Sequence, residues 1–394
     1  MKSLFAALLV ALCFSVAAQM PPPPEVAART FLLIDVTANQ TLAAKDIDSQ
    51  AEPASLTKLM TAYLVFDALR SKKIDMKQLL PVSARAGTMP GSRMFIAPNM
   101  QVSVEDLLQG MIVQSGNDAA MALAEGVGGT AEKFVQMMND QAKAMGMKST
   151  AYKNPEGEAE SGHTTTVRDL GVLATRLMND FPQYVGFYAV KHYRYAGAPA
   201  ANDSNRNLLL FRDPTVDGLN TSHTESAGFC MVATAKRNFP NLVTVGAPAG
   251  TPEGAGSRRL LSIVFGTESE NARANESQKL LNWGYTAFDA VKLYDANQPV
   301  VTPTVWKGGF ATVRLGRMQS IVVAVPSGMA SRVKTQVIRN EPLLAPIVMG
   351  QQVATLRVTA ADQPVVDVPL VALSAVEQAG IFGRAWDAIR LWIR

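Results

Sequence analysis

The chain has 394 residues, a formal net charge of +4 and a sequence pI of about 9.0. Its 48% hydrophobic and 18% charged residues are typical of a globular protein long enough for two domains, which excludes an intrinsically disordered chain. The basic excess is too small and too dispersed for a nucleic-acid-binding surface, so nucleic acid is not an expected partner.

Residues 1–18 are predicted to be a cleaved secretory signal peptide. Lys2 precedes an apolar run that is too short to span a membrane stably and that ends in small residues at Ala18. Residues 19–28 contain four consecutive prolines and are predicted to be a stiff linker.

Residues 29–287 are predicted to form a mixed α/β domain. The stretch "RTFLLIDVTANQTLAAKD" indicates two strands around a turn, and the periodicity from Ser55 to about Thr150 is helical. Ser103 and Asp106 form a capping pair at the start of one of these helices. Strand patterns return at "LVTVGA" and "LLSIVFG", and a helix is predicted over "ENARANESQKLLNWGYTAFDAV". Strands at both ends with helices between them predict an α/β sandwich.

Residues 288–376 are predicted to form a small all-β domain. The segments "ATVRLG", "SIVVAVPSG", "VATLRVTA" and "VVDVPLVAL" alternate or run apolar between glycines and prolines, without a helical stretch.

Residues 377–394 are predicted to be an amphipathic helix. On a helical wheel, one side carries Ile381, Phe382, Ala385, Trp386, Ile389, Trp392 and Ile393, and the other carries Arg384, Asp387, Arg390 and Arg394. This pattern favours a helix lying in the plane of an anionic membrane surface. The alternative is a terminal helix docked on its own domain.

Neither a metal nor an organic cofactor is expected. The histidines at 163, 192 and 223 lack the spacing of metal ligands. Removal of the signal peptide leaves Cys230 as the only cysteine, which excludes an intrachain disulfide and favours a buried, unreactive thiol.

The motif Ser55-x-x-Lys58 is the first candidate for catalysis. Positions i and i+3 share a helix face, so the hydroxyl and the amine can meet there. A lysine can act as the base for a serine nucleophile only if burial or a nearby cation lowers its pKa. The motif recurs by chance at Ser331-x-x-Lys334, so it is weak by itself.

Two further elements follow in chain order. Ser115-Gly116-Asn117 lies between two predicted helices, where Ser115 can relay a proton and Asn117 can hold a substrate amide. The hydroxyl-rich segment "DGLNTSHT" is predicted to be a short strand. Three such elements in this order are far more specific than any one of them.

With these motifs, and with the stretches "SNRN", "TVDGLNTSHTESAG" and "KLLNWGY", the sequence resembles the low-molecular-mass penicillin-binding proteins, specifically the periplasmic serine D-alanyl-D-alanine carboxypeptidases. The resemblance covers nearly the whole mature chain. It implies a serine β-lactamase/DD-peptidase-like catalytic domain, peptidoglycan stem peptides as substrates, β-lactams as acylating inhibitors, and a location at the periplasmic face of the bacterial inner membrane.

The resemblance also implies residue roles. Ser55 is the nucleophile, Lys58 the general base, and Ser115 and Asn117 assist in proton transfer and substrate placement. The implied substrate-binding residues are Asn220, Thr221, Ser222, His223 (through its backbone N–H), Arg206 and Arg259.

One segment departs from the family pattern. Asn220-Thr221-Ser222 stands where the family has Lys-Thr-Gly, so the site loses a positive charge and gains a Cβ near the substrate backbone. A slow carboxypeptidase and a weakly active or inactive peptidoglycan-binding scaffold therefore remain alternatives. A β-lactamase is less favoured, although Glu156, Glu158 and Glu160 could supply a deacylating base.

Overall fold

A computed structural model describes residues 20–199, 203–239, 243–244 and 256–393. The predicted signal peptide lies outside these residues. The chain divides into a larger unit, Pro23–Leu242 with Gly250–Ala287, and a smaller unit that contains Phe288–Arg394.

The strands, in chain order, are β1 Thr30–Asp35, β2 Gln40–Lys45, β3 Leu79–Pro81, β4 Gln101–Ser103, β5 Val216–Thr224, β6 Gly228–Phe239, β7 Val243–Thr244, β8 Gly256–Thr267, β9 Phe288–Tyr294, β10 Pro299–Val301, β11 Val305–Trp306, β12 Leu315–Gly316, β13 Ile321–Pro326, β14 Val333–Arg339, β15 Leu343–Leu344, β16 Gln352–Ala360 and β17 Gln363–Ala372. The α-helices are α1 Lys58–Arg70, α2 Ala84–Gly87, α3 Val104–Val113, α4 Asn117–Gly128, α5 Ala131–Met145, α6 Val167–Asp180, α7 Leu209–Arg212, α8 Glu270–Ala287 and α9 Ile381–Trp392.

The larger unit is built on an antiparallel sheet of strand order β2-β1-β8-β6-β5. A Cβ on Gly171 of α6 would lie 2.8 Å from the side chain of Leu32, and one on Gly284 of α8 would lie 2.8 Å from that of Leu33. Because neighbouring residues of a strand point to opposite faces, α6 and α8 cover opposite faces of this sheet. The predicted α/β sandwich is confirmed.

Helices α1, α3, α4 and α5 pack around a shared apolar core on the α6 side, which includes Leu59, Phe66, Leu107, Met121 and Phe134. The predicted cap of α3 is present, since the Asp106 N–H donates to Ser103 Oγ at 3.1 Å. Helix α1 is buried along most of its length. The buried start of α1 therefore fixes Lys58, the second residue of the first candidate motif.

The smaller unit is all-β apart from α9 and one short 3-10 turn, within the part of the chain that the structure describes. Its two main sheets have the orders β10-β12-β17-β16-β14 and β13-β9-β7. Val291, Val323, Leu356 and Leu370 belong to its core. Strand β7, from the predicted "LVTVGA" strand, pairs in parallel with β9 and not with the sheet of the larger unit.

Helix α9 presents its apolar side chains to solvent. Phe382 is 92% exposed and Trp392 is 88% exposed. On its other side, Asp387 accepts a hydrogen bond from the Lys307 N–H at 2.6 Å, and the Arg390 guanidinium lies 5.6 Å from the ring of Trp306. Among the described residues, no helix is long and apolar enough to cross a membrane.

Candidate active site

The predicted nucleophile lies in a tight turn. Ser55 belongs to a 3-10 turn, Ala54–Thr57, that leads directly into α1, whose first residue is Lys58. Lys58 Nζ lies 3.3 Å from Ser55 Oγ, as the i, i+3 spacing predicted. The last residue of the turn is fixed as well, because Thr57 Oγ1 is hydrogen-bonded to His163 Nε2 at 2.9 Å.

The loop formed by residues 154–157 packs against this turn. Gly157 has φ +93°, and a Cβ there would lie 1.9 Å from the Ala54 carbonyl oxygen, so only glycine fits this position. Thr61 Oγ1 donates to the Pro155 carbonyl at 2.6 Å, and the loop is thereby tied to α1. Ser55 is consequently held on two sides.

Lys58 is 2% exposed and lies at the centre of a hydrogen-bond network. Its Nζ donates to Asn117 Oδ1 at 2.7 Å and to the Glu156 carbonyl oxygen at 2.6 Å. Burial lowers the pKa of the Lys58 ammonium to about 8; the charge of Arg206 acts in the same direction, and those of Glu156, Glu158 and Asp118 oppose it. Lys58 can therefore exchange a proton with Ser55 near neutral pH.

Ser115 and Asn117 face the same space from the α3–α4 connection. Ser115 has φ +58° and is 5% exposed, and its Oγ has no hydrogen-bond partner in the part of the chain that the structure describes. Asn117 is the first residue of α4, and its backbone N–H donates to the Ser92 carbonyl at 2.7 Å. An unpaired buried hydroxyl in the cleft that Ser55 also lines is suited to proton transfer with a bound ligand.

Strand β5 forms the opposite wall. Thr221, Ser222 and His223 line the same cleft, of about 290 Å³, as Ser55, Ser115 and Asn117. Asn220 is not among the lining residues; its Nδ2 donates to the Ser55 carbonyl at 3.0 Å, and its Oδ1 accepts from the Thr221 N–H at 2.8 Å. Asn220 therefore ties β5 to the nucleophile turn.

Ser222 and Thr221 point to opposite faces of the strand. Ser222 pairs with Cys230 across the β5–β6 ladder, so its side chain lies on the same face as the buried thiol. Burial raises the pKa of Cys230 to about 11, which leaves it a protonated, unreactive thiol at neutral pH.

Of the two arginines predicted to bind a substrate carboxylate, Arg206 lies in the cleft and Arg259 does not. Arg206 lines the cleft and is exposed. Arg259 makes two hydrogen bonds of 2.7 Å to Asp217 and one of 2.9 Å to Thr234 Oγ1, away from the cleft-lining residues. The structure thus separates Arg259 from the other predicted site residues.

Arg273 of α8 lines the cleft and was not predicted. It is 2% exposed, and its Nη1 donates to the Ser222 carbonyl at 3.0 Å. In the sequence it is one of several charged residues of a helix, and only its position on the buried face of α8 distinguishes it.

The three glutamates of the "NPEGEAES" stretch differ. Glu156 and Glu158 line the cleft, whereas Glu160 is not among its lining residues. Glu156 is 5% exposed, and burial raises the pKa of its carboxyl. Glu158 Oε1 accepts a hydrogen bond of 2.6 Å from Asn117 Nδ2.

No group of three or more histidine, cysteine, aspartate or glutamate side chains is arranged to hold a metal ion within the described ranges.

Comparisons with known proteins identify the family. Residues 16–249 match a family model described as D-alanyl-D-alanine carboxypeptidase, peptidase S11. The chain is 35% identical over 383 residues to the D-alanyl-D-alanine carboxypeptidase DacC of Escherichia coli, with 95% of this chain and 90% of the relative covered. The chain belongs to the D-alanyl-D-alanine carboxypeptidase family. Residues 288–378 match the penicillin-binding protein 5 C-terminal domain, as expected for a carboxypeptidase with an appended β domain.

Solved structures agree with this membership. Penicillin-binding protein 5 from Haemophilus influenzae has a TM-score of 0.78 and 30% identity, with 91% of this carboxypeptidase-family chain and 100% of that chain covered. Penicillin-binding protein D2 from Listeria monocytogenes in its cefotaxime-bound form has a TM-score of 0.57 and 27% identity, with coverage of 67% of this chain and 100% of that chain. The predicted fold class is confirmed.

Proposed function

We propose that this protein removes the terminal D-alanine from peptidoglycan stem peptides through an acyl-enzyme on Ser55. The observation that carries the proposal is the buried Lys58 ammonium, whose pKa is lowered to about 8 and whose Nζ lies 3.3 Å from Ser55 Oγ. A serine hydroxyl becomes an effective nucleophile only when a neighbouring base, with a pKa near the ambient pH, can take its proton.

In the acylation step, Ser55 Oγ attacks the carbonyl carbon of the penultimate D-alanine and Lys58 Nζ takes the hydroxyl proton. The C–N bond then breaks, and the departing D-alanine amine receives a proton relayed through Ser115. The backbone N–H groups of Ser55 and His223 stabilise the oxyanion, a contribution of about 10²–10³ in rate per donor.

The substrate carboxylate is assigned to the side of the cleft that holds the guanidinium groups. Arg273, Arg206 and Thr221 line the cleft, as does Glu270, whose Oε1 lies 3.3 Å from Arg273 Nη2. Arginine suits a carboxylate because its N–H groups match the geometry of the two oxygens. These groups supply the positive charge that Asn220 lacks.

Deacylation follows when a water, activated by neutral Lys58, attacks the Ser55 ester and releases the shortened peptide. A β-lactam carries an amide and a carboxylate at comparable positions, so it acylates Ser55 by the same route. The cefotaxime-bound form of the Listeria monocytogenes relative is consistent with this expectation.

A D-alanine release assay on a stem pentapeptide tests the proposal, together with mass spectrometry after incubation with penicillin. We expect turnover and one covalent adduct on Ser55. Binding of the peptide without D-alanine release and without an adduct would favour the scaffolding alternative.

We also propose that the protein is exported by its signal peptide and attached to the periplasmic face of the inner membrane by α9. The exposed Phe382, Trp386 and Trp392, opposite Arg384 and Arg390, support this attachment. Truncation after Gly380 is expected to move the protein from the membrane fraction to the soluble fraction. Continued sedimentation of the truncated protein with membranes would overturn the proposal.

A further inference from the structure

A pocket in the smaller unit lies between α9 and the paired strands β11 and β15. Its volume is about 490 Å³, and its lining includes Lys307, Leu344, Gln378, Ile381 and Arg384. Strand β11 pairs in parallel with β15, which sets Trp306 beside Leu344 and brings the next residue, Lys307, to the same edge. This pocket shares no lining residue with the catalytic cleft.

The backbone of Lys307 is held by α9 and by the segment that leads into it. Its N–H donates to Asp387 Oδ2 at 2.6 Å, and its carbonyl oxygen accepts from the Ala379 N–H at 2.8 Å. Lys307 also has φ +58°, a left-handed conformation that a residue other than glycine keeps only where its surroundings determine it. Lys307 and α9 therefore form one defined junction.

The charged groups of the pocket are cations. Arg384 Nη1 donates to Gln378 Oε1 at 3.3 Å, and within the described residues neither Lys307 nor Arg384 forms an ion pair. Asp387 is bonded to the Lys307 backbone and is not among the residues that line the pocket. Ammonium and guanidinium groups without a carboxylate partner attract an anion, and phosphate is a common partner of both.

The same pocket also has an exposed aliphatic part. Leu344 is 48% exposed and Ile381 is 73% exposed, and Ile381 belongs to the apolar side of α9. A free phosphate ion has no group to place against these side chains, whereas a phospholipid carries its phosphate close to its acyl chains. Cations and exposed aliphatic side chains in one pocket therefore fit an anionic amphiphile.

We infer that this pocket binds the headgroup of an anionic phospholipid, with Lys307 and Arg384 at the phosphate and Leu344 and Ile381 beside the acyl chains. The inference rests on the proposed attachment of α9 to the membrane, and it adds a residue of the β domain, Lys307, to the attachment surface. A zwitterionic headgroup carries an ammonium group that the two cations repel, so an anionic headgroup is preferred.

The test uses a soluble short-chain lipid, because a monomeric lipid offers no charged surface that attracts basic residues in general. Binding of dihexanoyl-phosphatidylglycerol, kept below its critical micelle concentration, to the full chain is measured by isothermal titration calorimetry. We expect saturable binding, with dihexanoyl-phosphatidylcholine and inorganic phosphate each weaker by about 10-fold or more. Equal affinity for inorganic phosphate would overturn the lipid assignment, and equal affinity for the two lipids would overturn the role of the charges.

Lys307→Gln removes one charge and keeps a polar side chain. It is expected to weaken phosphatidylglycerol binding by about 10-fold and to leave phosphatidylcholine binding and the melting temperature unchanged. Lys334→Gln removes the same charge from β14 of the same unit, where Lys334 pairs with Asp362, and its affinity is expected to match that of the unmodified protein. Equal losses in the two variants would show general charge attraction and contradict a pocket at Lys307.

Sedimentation with vesicles separates the pocket from the anchor. The vesicles contain phosphatidylcholine alone or phosphatidylcholine with phosphatidylglycerol, and the second kind is expected to retain more protein. Equal sedimentation with both kinds, unchanged in Lys307→Gln, overturns the headgroup pocket and leaves the attachment by α9 standing. Sedimentation with neither kind overturns the proposed attachment itself.

Discussion

The two walls of the cleft differ in how closely their sequence motifs match the family pattern. On the α1–α4 wall, Ser55, Lys58 and Asn117 match the family pattern letter for letter, and their side-chain atoms contact one another in a buried network. On the β5 wall, Asn220 and Ser222 depart from that pattern, yet the strand still lines the cleft and still pairs with its neighbour β6.

The difference lies in which atoms each wall uses. At Ser222 the β5 wall contributes a backbone carbonyl, which accepts from Arg273, whereas at Asn220 it contributes a side-chain amide, which donates to the Ser55 carbonyl. Positive charge reaches this wall from Arg206 and from α8. Ser222 acts through its backbone and so tolerates a new side chain, whereas Asn220 replaces the family's charged side chain with an amide that is bonded to the nucleophile turn.

Replacing Ser55 by alanine should have the largest effect, because it removes the bond-forming atom from the intact wall. D-alanine release is expected to fall by about 10⁴-fold or more, and the penicillin adduct should disappear from the mass spectrum. An adduct of unchanged yield in this variant would mean that another residue is the nucleophile.

Arg273→Gln should rank second, because it removes a buried guanidinium from the altered wall. Loss of a buried charged contact of about 2–5 kcal/mol corresponds to roughly 30- to several-thousand-fold in kcat/KM for carboxylate-bearing substrates. Arg259→Gln is the matched control, since Arg259 pairs with Asp217 outside the cleft. Equal losses in the two variants would contradict the assignment of the carboxylate to Arg273.

Arg206→Gln should act through Lys58. In the proposed mechanism neutral Lys58 is the base, so kcat/KM should rise with pH through its pKa of about 8. The charge of Arg206 lowers that pKa, and its removal should shift the rising limb to higher pH. A pH–rate profile checks this shift. A limb that stays in place would show that Arg206 does not act on Lys58.

Adding Asn220→Lys to the Arg206→Gln variant should move the rising limb back to lower pH. The rate near neutral pH should then increase by about 3- to 10-fold relative to Arg206→Gln alone.

Ser222→Gly should have the smallest effect. Because the Ser222 side chain lies on the Cys230 face of β5, its removal is expected to change kcat/KM by less than about 3-fold. A much larger gain, measured with the stem pentapeptide, would show that the hydroxymethyl group narrows the substrate groove.

The sequence by itself determined the features that depend on local spacing. Ser55 and Lys58 meet because they are one helical turn apart, Ser103 caps α3 because it precedes an apolar helical repeat, and the alternating segments after residue 288 form strands. The fold class followed from the same patterns.

Only the tertiary structure decided which charges reach the cleft. Arg273 and Glu158 lie there because α8 packs on the sheet and the 154–157 loop packs on α1, while Arg259 pairs with Asp217. These contacts join residues far apart in the chain, and no local repeat encodes them. For the same reason, the sequence showed that Asn220 lacks a charge, and the structure placed the guanidinium-bearing residues Arg206 and Arg273 along the cleft.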